Sequence, residues 1–147
     1  MINIVCIDKE LVPVIGSEDA AGMDLKTSVD FCLEPGKEIS FGTGVSVELP
    51  KNTVGIVAPR SSMGKYEGLH IVLKNTIGVI DSDYRGEIQV KLRNIGTKNI
   101  TMYKGDRVCQ LIVVPHLSPK FNLVTELTNT DRGAGGFGSS GCDIKLK

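Results

Sequence analysis

The nine residues Arg107-Val-Cys-Gln-Leu-Ile-Val-Val-Pro115 constrain the fold more than any other stretch. They follow the turn-like Lys104-Gly-Asp106, are strongly apolar and mostly branched, and end on a proline. Such a run suits a strand buried in a sheet. Its one polar interruption is Gln110, whose amide must find hydrogen bonds or cost a few kcal/mol. Either the backbone inside the protein supplies them, or the side chain faces a ligand. The preference for branched side chains runs through the whole chain, with fifteen Val and fourteen Ile against four Ala. A helical protein rarely holds so little alanine, and the fold class is all-β.

A length of 147 residues predicts one domain with room for a real core. Charge is balanced, 17 Lys+Arg against 17 Asp+Glu, so nucleic acid is not expected as the main partner. An anionic ligand must then be held locally, by a few arginines and backbone amides. No apolar run approaches the roughly 20 residues of a membrane span, and the first residues carry no signal-peptide pattern. The expectation is a soluble, cytoplasmic protein that binds no membrane. Cys6, Cys32, Cys109 and Cys142 are widely spaced, and His70 and His116 are the two histidines, which argues against a protein-built zinc site. Cys6, Cys32 and Cys109 stand in apolar, strand-like contexts and are expected to be buried thiols.

Short extended segments punctuated by turns fill most of the sequence. Residues 2–7 read as a first strand and 11–15 as a second extended piece, with Pro13 marking an edge. Residues 29–33 and 38–49 read as strands joined by Glu34-Pro-Gly-Lys37, where Pro35-Gly36 signals a type II turn. Gly42 and Gly44 mark a bulge or a close contact within the second of these. Strands are also predicted at 54–58, 69–73 and 100–103, with 94–99 a hairpin loop and 121–124 a last strand.

Four stretches carry candidate chemistry. In Ala20-Ala-Gly-Met-Asp-Leu25, alternation puts Asp24 on the face opposite Met23 and Leu25, as a solvated residue or as a site carboxylate. Pro59-Arg-Ser-Ser-Met-Gly64 stops a strand and opens a helical turn that Ser61 or Ser62 would cap. Such a turn is ordinary, yet its hydroxyls, arginine and free amides also suit an anion. In Asn75-Thr-Ile-Gly-Val-Ile-Asp-Ser-Asp-Tyr-Arg85, Val79 and Ile80 run into Asp81, and residues 82–86 turn the chain toward a returning strand at 87–92. This is either an acidic hairpin with a structural tyrosine or a small-molecule pocket. In the second case Asp81 polarises a water at the floor and Tyr84 offers a flat face to a ring. Finally, five glycines fall between Gly133 and Gly141, beside Ser139 and Ser140. That composition suits a flexible tail. A linker has no use for Arg132 and Phe137, whereas a clamp closing over phosphates and a base does.

Taken in order, these segments resemble the five motifs of the homotrimeric dUTPase family. They stand here as Ala20–Leu25, Pro59–Gly64, Asn75–Gly86, Gly105-Asp-Arg-Val-Cys-Gln110 and Arg132–Gly141. Met23 replaces what is often a larger side chain, and Ser140 a commoner threonine. The resemblance implies a jelly-roll-like β-barrel protomer over residues 1–127, a flexible arm over 128–147, and a trimer whose active sites lie between subunits. It implies hydrolysis of dUTP to dUMP and pyrophosphate with Mg2+ held mainly by the triphosphate, which limits uracil in DNA and supplies dUMP for thymidylate synthesis. In that scheme Asp81 activates the water, Asn75 and the backbone of Gly78, Val79 and Ile80 read the uracil, and Tyr84 packs under the deoxyribose. Arg60, Ser61, Ser62, Gly64 and Gln110 hold the phosphates, and Asp24 touches the metal through water. Arg132 reaches the γ-phosphate, Phe137 stacks on the base, and Gly138 and Ser139 wrap the phosphates. A dCTP deaminase or a bifunctional deaminase–dUTPase would share the fold but needs a glutamate base, and here Asp81 leads into Ser-Asp-Tyr-Arg-Gly, the dUTPase form. A regulatory binding protein without turnover should have lost Asp81 or the glycine-rich tail, and both are present.

Overall fold

The computed structural model of the protein describes residues 1–65 and 67–136. Among these lie twelve strands: β1 (Asn3–Cys6), β2 (Val14–Ile15), β3 (Gly22–Lys26), β4 (Phe31–Leu33), β5 (Glu38–Gly42), β6 (Val45–Glu48), β7 (Thr53–Pro59), β8 (Ile71–Leu73), β9 (Gly78–Ile80), β10 (Gln89–Asn94), β11 (Ile100–Met102) and β12 (Arg107–Pro115). The apolar run singled out above is β12, residue for residue. It lies at the middle of a five-stranded antiparallel sheet ordered β2-β3-β12-β7-β9. A second sheet is ordered β5-β10-β8, and two ribbons, β1-β6 and β11-β4, complete the barrel.

The inward faces share one core. Leu25, Val57, Cys109 and Leu111 of the large sheet meet Phe41, Leu73, Val90 and Leu92 of the three-stranded sheet. Strand β10 shows the cause: Val90, Leu92 and Asn94 point inward while Gln89, Lys91 and Arg93 face out. Burying a side chain of this size stabilises by roughly 1.5–3 kcal/mol, so the alternation fixes which face turns in. The result is a jelly-roll-like β-barrel.

The pairing of neighbours departs from the local reading in several places. Strands β9 and β10 are consecutive, yet β9 pairs with β7 and β10 with β5 and β8, so 78–94 is no hairpin. Nor does 94–99 close one, since β11 pairs with β4. That loop is pinned by the fully buried Asn94, whose amide donates to the Leu33 and Lys98 carbonyls at 2.8 Å each and whose oxygen accepts from Gly96. The segment 38–49 splits at Thr43-Gly44. Gly44 has φ +73, and its N–H donates to Glu87 while Thr43 bonds the Ile88 carbonyl, turning the chain from one sheet into a ribbon. Gly36, at φ +77, provides the type II turn as expected. Residues 121–124 form no strand, because no sheet edge of this chain receives them. Cys109 is buried, but Cys6 is only half-buried and Cys32 is exposed, since in β4 it is Leu33 that turns inward. Among the described residues no helix is long and apolar enough to cross a membrane.

Candidate active site

Strand β9 is the end strand of its sheet. Gly55, Ile56 and Val57 of β7 pair with Ile80, Val79 and Gly78 on one side. On the other side its backbone has no strand partner among the described residues, which leaves peptide groups able to bond a flat polar ligand. A tight turn, with Thr76 at φ +64 and its N–H donating to the Leu73 carbonyl, returns the chain so that Asn75 stands beside Gly78. At Gly78 an added Cβ would lie 3.1 Å from Val57 and 3.8 Å from the Asn75 amide nitrogen. Only glycine leaves that space open.

These elements enclose a cavity of about 250 Å³ lined by Val57, Asn75, Gly78, Val79, Ile80, Asp81, Tyr84 and Gln89. All six residues predicted for the nucleoside side are in that list. Val57 and Gln89 were not predicted; both belong to strands that reach the cavity only through tertiary pairing. The Tyr84 hydroxyl donates to the Glu87 carbonyl at 3.0 Å, and the Tyr84 N–H closes the turn onto the Asp81 carbonyl at 3.1 Å. The ring lies over Gly86: a Cβ there would come 2.3 Å from the tyrosine oxygen and 2.5 Å from Cζ. Gly86→Ala should therefore displace the ring and leave the core untouched. A shift of about 1 Å at a substrate-positioning group costs up to roughly 10²-fold in rate. Unchanged kcat/KM in that variant, measured beside an unchanged Tm, would show that the ring position is immaterial.

Asp81 stands on a rim shared with a larger cleft of about 800 Å³, between Glu48–Asn52, Asp83, Arg85, His116 and Ser118. The chain leaves β12 through this cleft, with the His116 N–H donating to the Asn52 carbonyl at 2.9 Å. From there to Gly136 the side chains are almost all exposed. Arg132 turns back on its own segment, its Nε donating to the Gly135 carbonyl at 3.0 Å. Phe137, Gly138 and Ser139 lie outside the described residues.

The second group of predicted residues gathers at the other end of β7. Arg60 follows Pro59 directly, and Ser61–Gly64 form a 3-10 turn with exposed hydroxyls. Neither serine caps it: Arg60 holds the capping position and no side-chain bond is made there. Gln110 lies level with Asp24 on β3 and Ala58 on β7. Its Nε2 donates to the Pro59 carbonyl at 2.9 Å, and its Oε1 sits over Gly22. The amide thus has an internal partner. Asp24 accepts from Arg60 Nε at 2.9 Å and from Arg107 Nη1 at 3.2 Å. Arg107 was not singled out from the sequence. Beneath them, burial pushes the Cys109 thiol up to about 12, with Asp24 adding to the rise and Arg60 opposing it. Its thiolate is absent at neutral pH, so this cysteine is packing and not a nucleophile.

The two groups do not meet within one chain. Ile80, the residue before Asp81, is level with Gly55, five residues along β7 from Arg60, a separation of about 17 Å at 3.3 Å per residue. None of Arg60, Ser61, Ser62, Gly64 and Gln110 lines the cavity beside Asp81. As for a metal, no three His, Cys, Asp or Glu among the described residues are placed to hold one. Asp24 already accepts one guanidinium N–H on each oxygen, which leaves lone pairs for a metal-bound water and suits an outer-sphere contact.

Solved structures carry this fold. The dUTPase of Staphylococcus bacteriophage 80alpha (a G164S mutant with dUpNHpp) superposes with a TM-score of 0.86, covering 97% of this chain and 99% of that one at 23% identity. Sequence relatives are nearer. The deoxyuridine 5'-triphosphate nucleotidohydrolase of Escherichia phage T5 is 48% identical over 149 residues, spanning 96% of this chain and 99% of that protein. The enzyme of the same name from Corynebacterium glutamicum is 44% identical, spanning 95% and 94%. The dUTPase family pattern matches residues 8–141, and the chain belongs to the dUTPase family.

Proposed function

We propose that the protein is a dUTP diphosphatase, converting dUTP and water to dUMP and pyrophosphate. What carries the reading is the cavity that gathers Asn75, the free edge of β9, Tyr84 and the Asp81 carboxylate within one small volume. At about 250 Å³ it is smaller than the roughly 300–1,000 Å³ of a site that takes a whole ligand, and suits the nucleoside part alone. Asn75 and the backbone of Gly78, Val79 and Ile80 pair with the uracil edge, and Tyr84 packs beneath the deoxyribose. Asp81 accepts a proton from a water whose oxygen attacks the α-phosphorus. The bond from that phosphorus to the bridging oxygen breaks and pyrophosphate leaves.

Phosphate binding needs cations that the Asp81 cavity lacks. In the proposed homotrimer a second subunit brings Arg60, Ser61, Ser62, Gly64 and Gln110 to the phosphate chain. From a third comes the arm of residues 128–147, with Arg132, Phe137, Gly138 and Ser139. Support lies in the distance along β7 between Arg60 and the Ile80 end of β9 that leads into Asp81, about 17 Å within one protomer, which keeps Arg60 away from the reacting carboxylate. Asp24 would hold a triphosphate-bound Mg2+ through water, and the ion would there offset the phosphate charge. The protein acts in the cytoplasm on free nucleotide, with no nucleic acid or membrane partner.

The test is a panel of dUTP, dCTP, dTTP and UTP with Mg2+, in which pyrophosphate and ammonia are followed separately. Pyrophosphate from dUTP alone is expected; ammonia from dCTP would move the assignment to a deaminase. Sugar choice should rest on Tyr84. A 2′-hydroxyl beneath its ring finds no partner, which costs about 1–3 kcal/mol, and the clash adds to it. The preference for dUTP over UTP in kcat/KM should be at least about 10²-fold, at 1.4 kcal/mol per decade. In Tyr84→Ala the ratio should shrink, and an unchanged ratio would clear Tyr84 of that role.

A further inference from the structure

We propose that Arg107 is a positioning residue for the phosphate-binding Arg60, acting through Asp24; the inference deepens the functional reading above and rests on it. The three residues close a ring. Arg107 Nη1 donates to Asp24 Oδ2 at 3.2 Å, and Asp24 Oδ1 accepts from Arg60 Nε at 2.9 Å. Arg60 Nη1 in turn donates to the Arg107 carbonyl at 3.3 Å. Arg107 thus holds Arg60 twice, by its backbone oxygen directly and by its side chain through the carboxylate.

A β-bulge aims it there. Pairing between β12 and β3 steps from Arg107↔Lys26 to Cys109↔Leu25, so Val108 is an extra residue on β12. Val108 and Cys109 are consequently both buried. Simple alternation would send residue 107 inward with Cys109. The bulge instead turns it out, onto the face that carries Asp24 and Gln110. A bulge interrupts sheet pairing, and here what it gains is the direction of one guanidinium.

The consequence lies in which hydrogens of Arg60 remain. Of the five N–H donors of a guanidinium, the ring engages Nε and one hydrogen of Nη1. The ring engages neither hydrogen of Nη2, which leaves that nitrogen, with the remaining hydrogen of Nη1, to meet a phosphate. Two guanidiniums around one carboxylate also leave a local positive charge in a chain of zero net charge. An arginine held in its bound rotamer loses less freedom when the phosphate arrives.

The experiment compares Arg107→Gln, Arg60→Gln and the double variant. Losing a charge-assisted bond should raise KM for dUTP about 10- to 100-fold, with a smaller change in kcat. Inhibition by dUMP, which lacks the outer phosphates, should stay as in the wild type. The double variant should be little worse than Arg60→Gln alone, because Arg107 works through Arg60. Where Arg107→Gln does not fold, Arg107→Lys keeps a cation beside Asp24 and serves in the same cycle, with KM raised less. Additive effects in the cycle, a parallel loss of dUMP affinity, or wild-type KM in the variant would each overturn the assignment. Calorimetric binding of inorganic tripolyphosphate separates the two readings. A wild type that binds tripolyphosphate, loses it in both arginine variants and leaves dUTP intact would refute the diphosphatase and keep the ring.

Discussion

Asp81→Asn should yield a folded protein that binds dUTP yet turns it over at least about 10²-fold more slowly, the usual contribution of a general base. The substitution keeps shape and removes basicity, because an amide cannot take the water's proton. Folding should survive. Among the described residues the Asp81 side chain makes no hydrogen bond or ion pair, and the turn depends on its backbone carbonyl, which accepts from Tyr84. Binding should survive as well, since base and sugar are held by Asn75, β9 and Tyr84. The measurements are kcat, the Kd of a non-hydrolysable dUTP analogue, and Tm. A variant that keeps more than a tenth of wild-type turnover means that another group activates the water.

Truncation after Asn129 should abolish turnover while Tm and oligomer mass stay nearly unchanged. Among the described residues, the part removed contributes nothing to the barrel core: residues 130–134 are exposed, and their bonds run within the segment, from Gly133 to Thr130 and from Gly135 to Arg132. The preceding stretch is no better anchored, with Phe121 96% and Leu123 100% exposed. What is lost is Arg132 with the residues that follow it. An arginine supplied to a phosphoryl-transfer site from outside contributes roughly 10³–10⁵ in kcat, so the loss should approach that range. A truncated enzyme that hydrolyses dUTP at the wild-type rate would reduce the glycine-rich arm to a linker.

The sequence was most legible where structure is local. Strand β12 is bounded by a glycine turn and a proline and is apolar from Val108 on except at Gln110, so its limits are marked at both ends. The turn at Asn75–Tyr84 assembles neighbours in the chain, which is why its six predicted residues share one cavity. Partnership was much less legible. The alternation of β10 says which side faces in, not that β5 and β8 receive it rather than β9. Gln89 therefore reached the cavity unannounced. Arg107 was hidden for a related reason: a bulge inserts one residue without any composition of its own, so nothing local shows that the arginine turns outward. Leu33, not Cys32, turns inward in β4, a choice made by the core and not by the apolar context of the cysteine.

The placement of Asp81 and Arg60 at opposite ends of β7 has a genetic consequence for the proposed trimer. A chain defective at Asp81 still lends an intact arginine end to its neighbour, and a chain defective at Arg60 still lends an intact carboxylate. Two alleles, each silent alone, would then complement when co-expressed, because random mixing of subunits rebuilds some whole sites. A lesion in one copy is accordingly diluted among the assemblies it joins, and inheritance at such a locus depends on how chains mix as much as on which residue was lost.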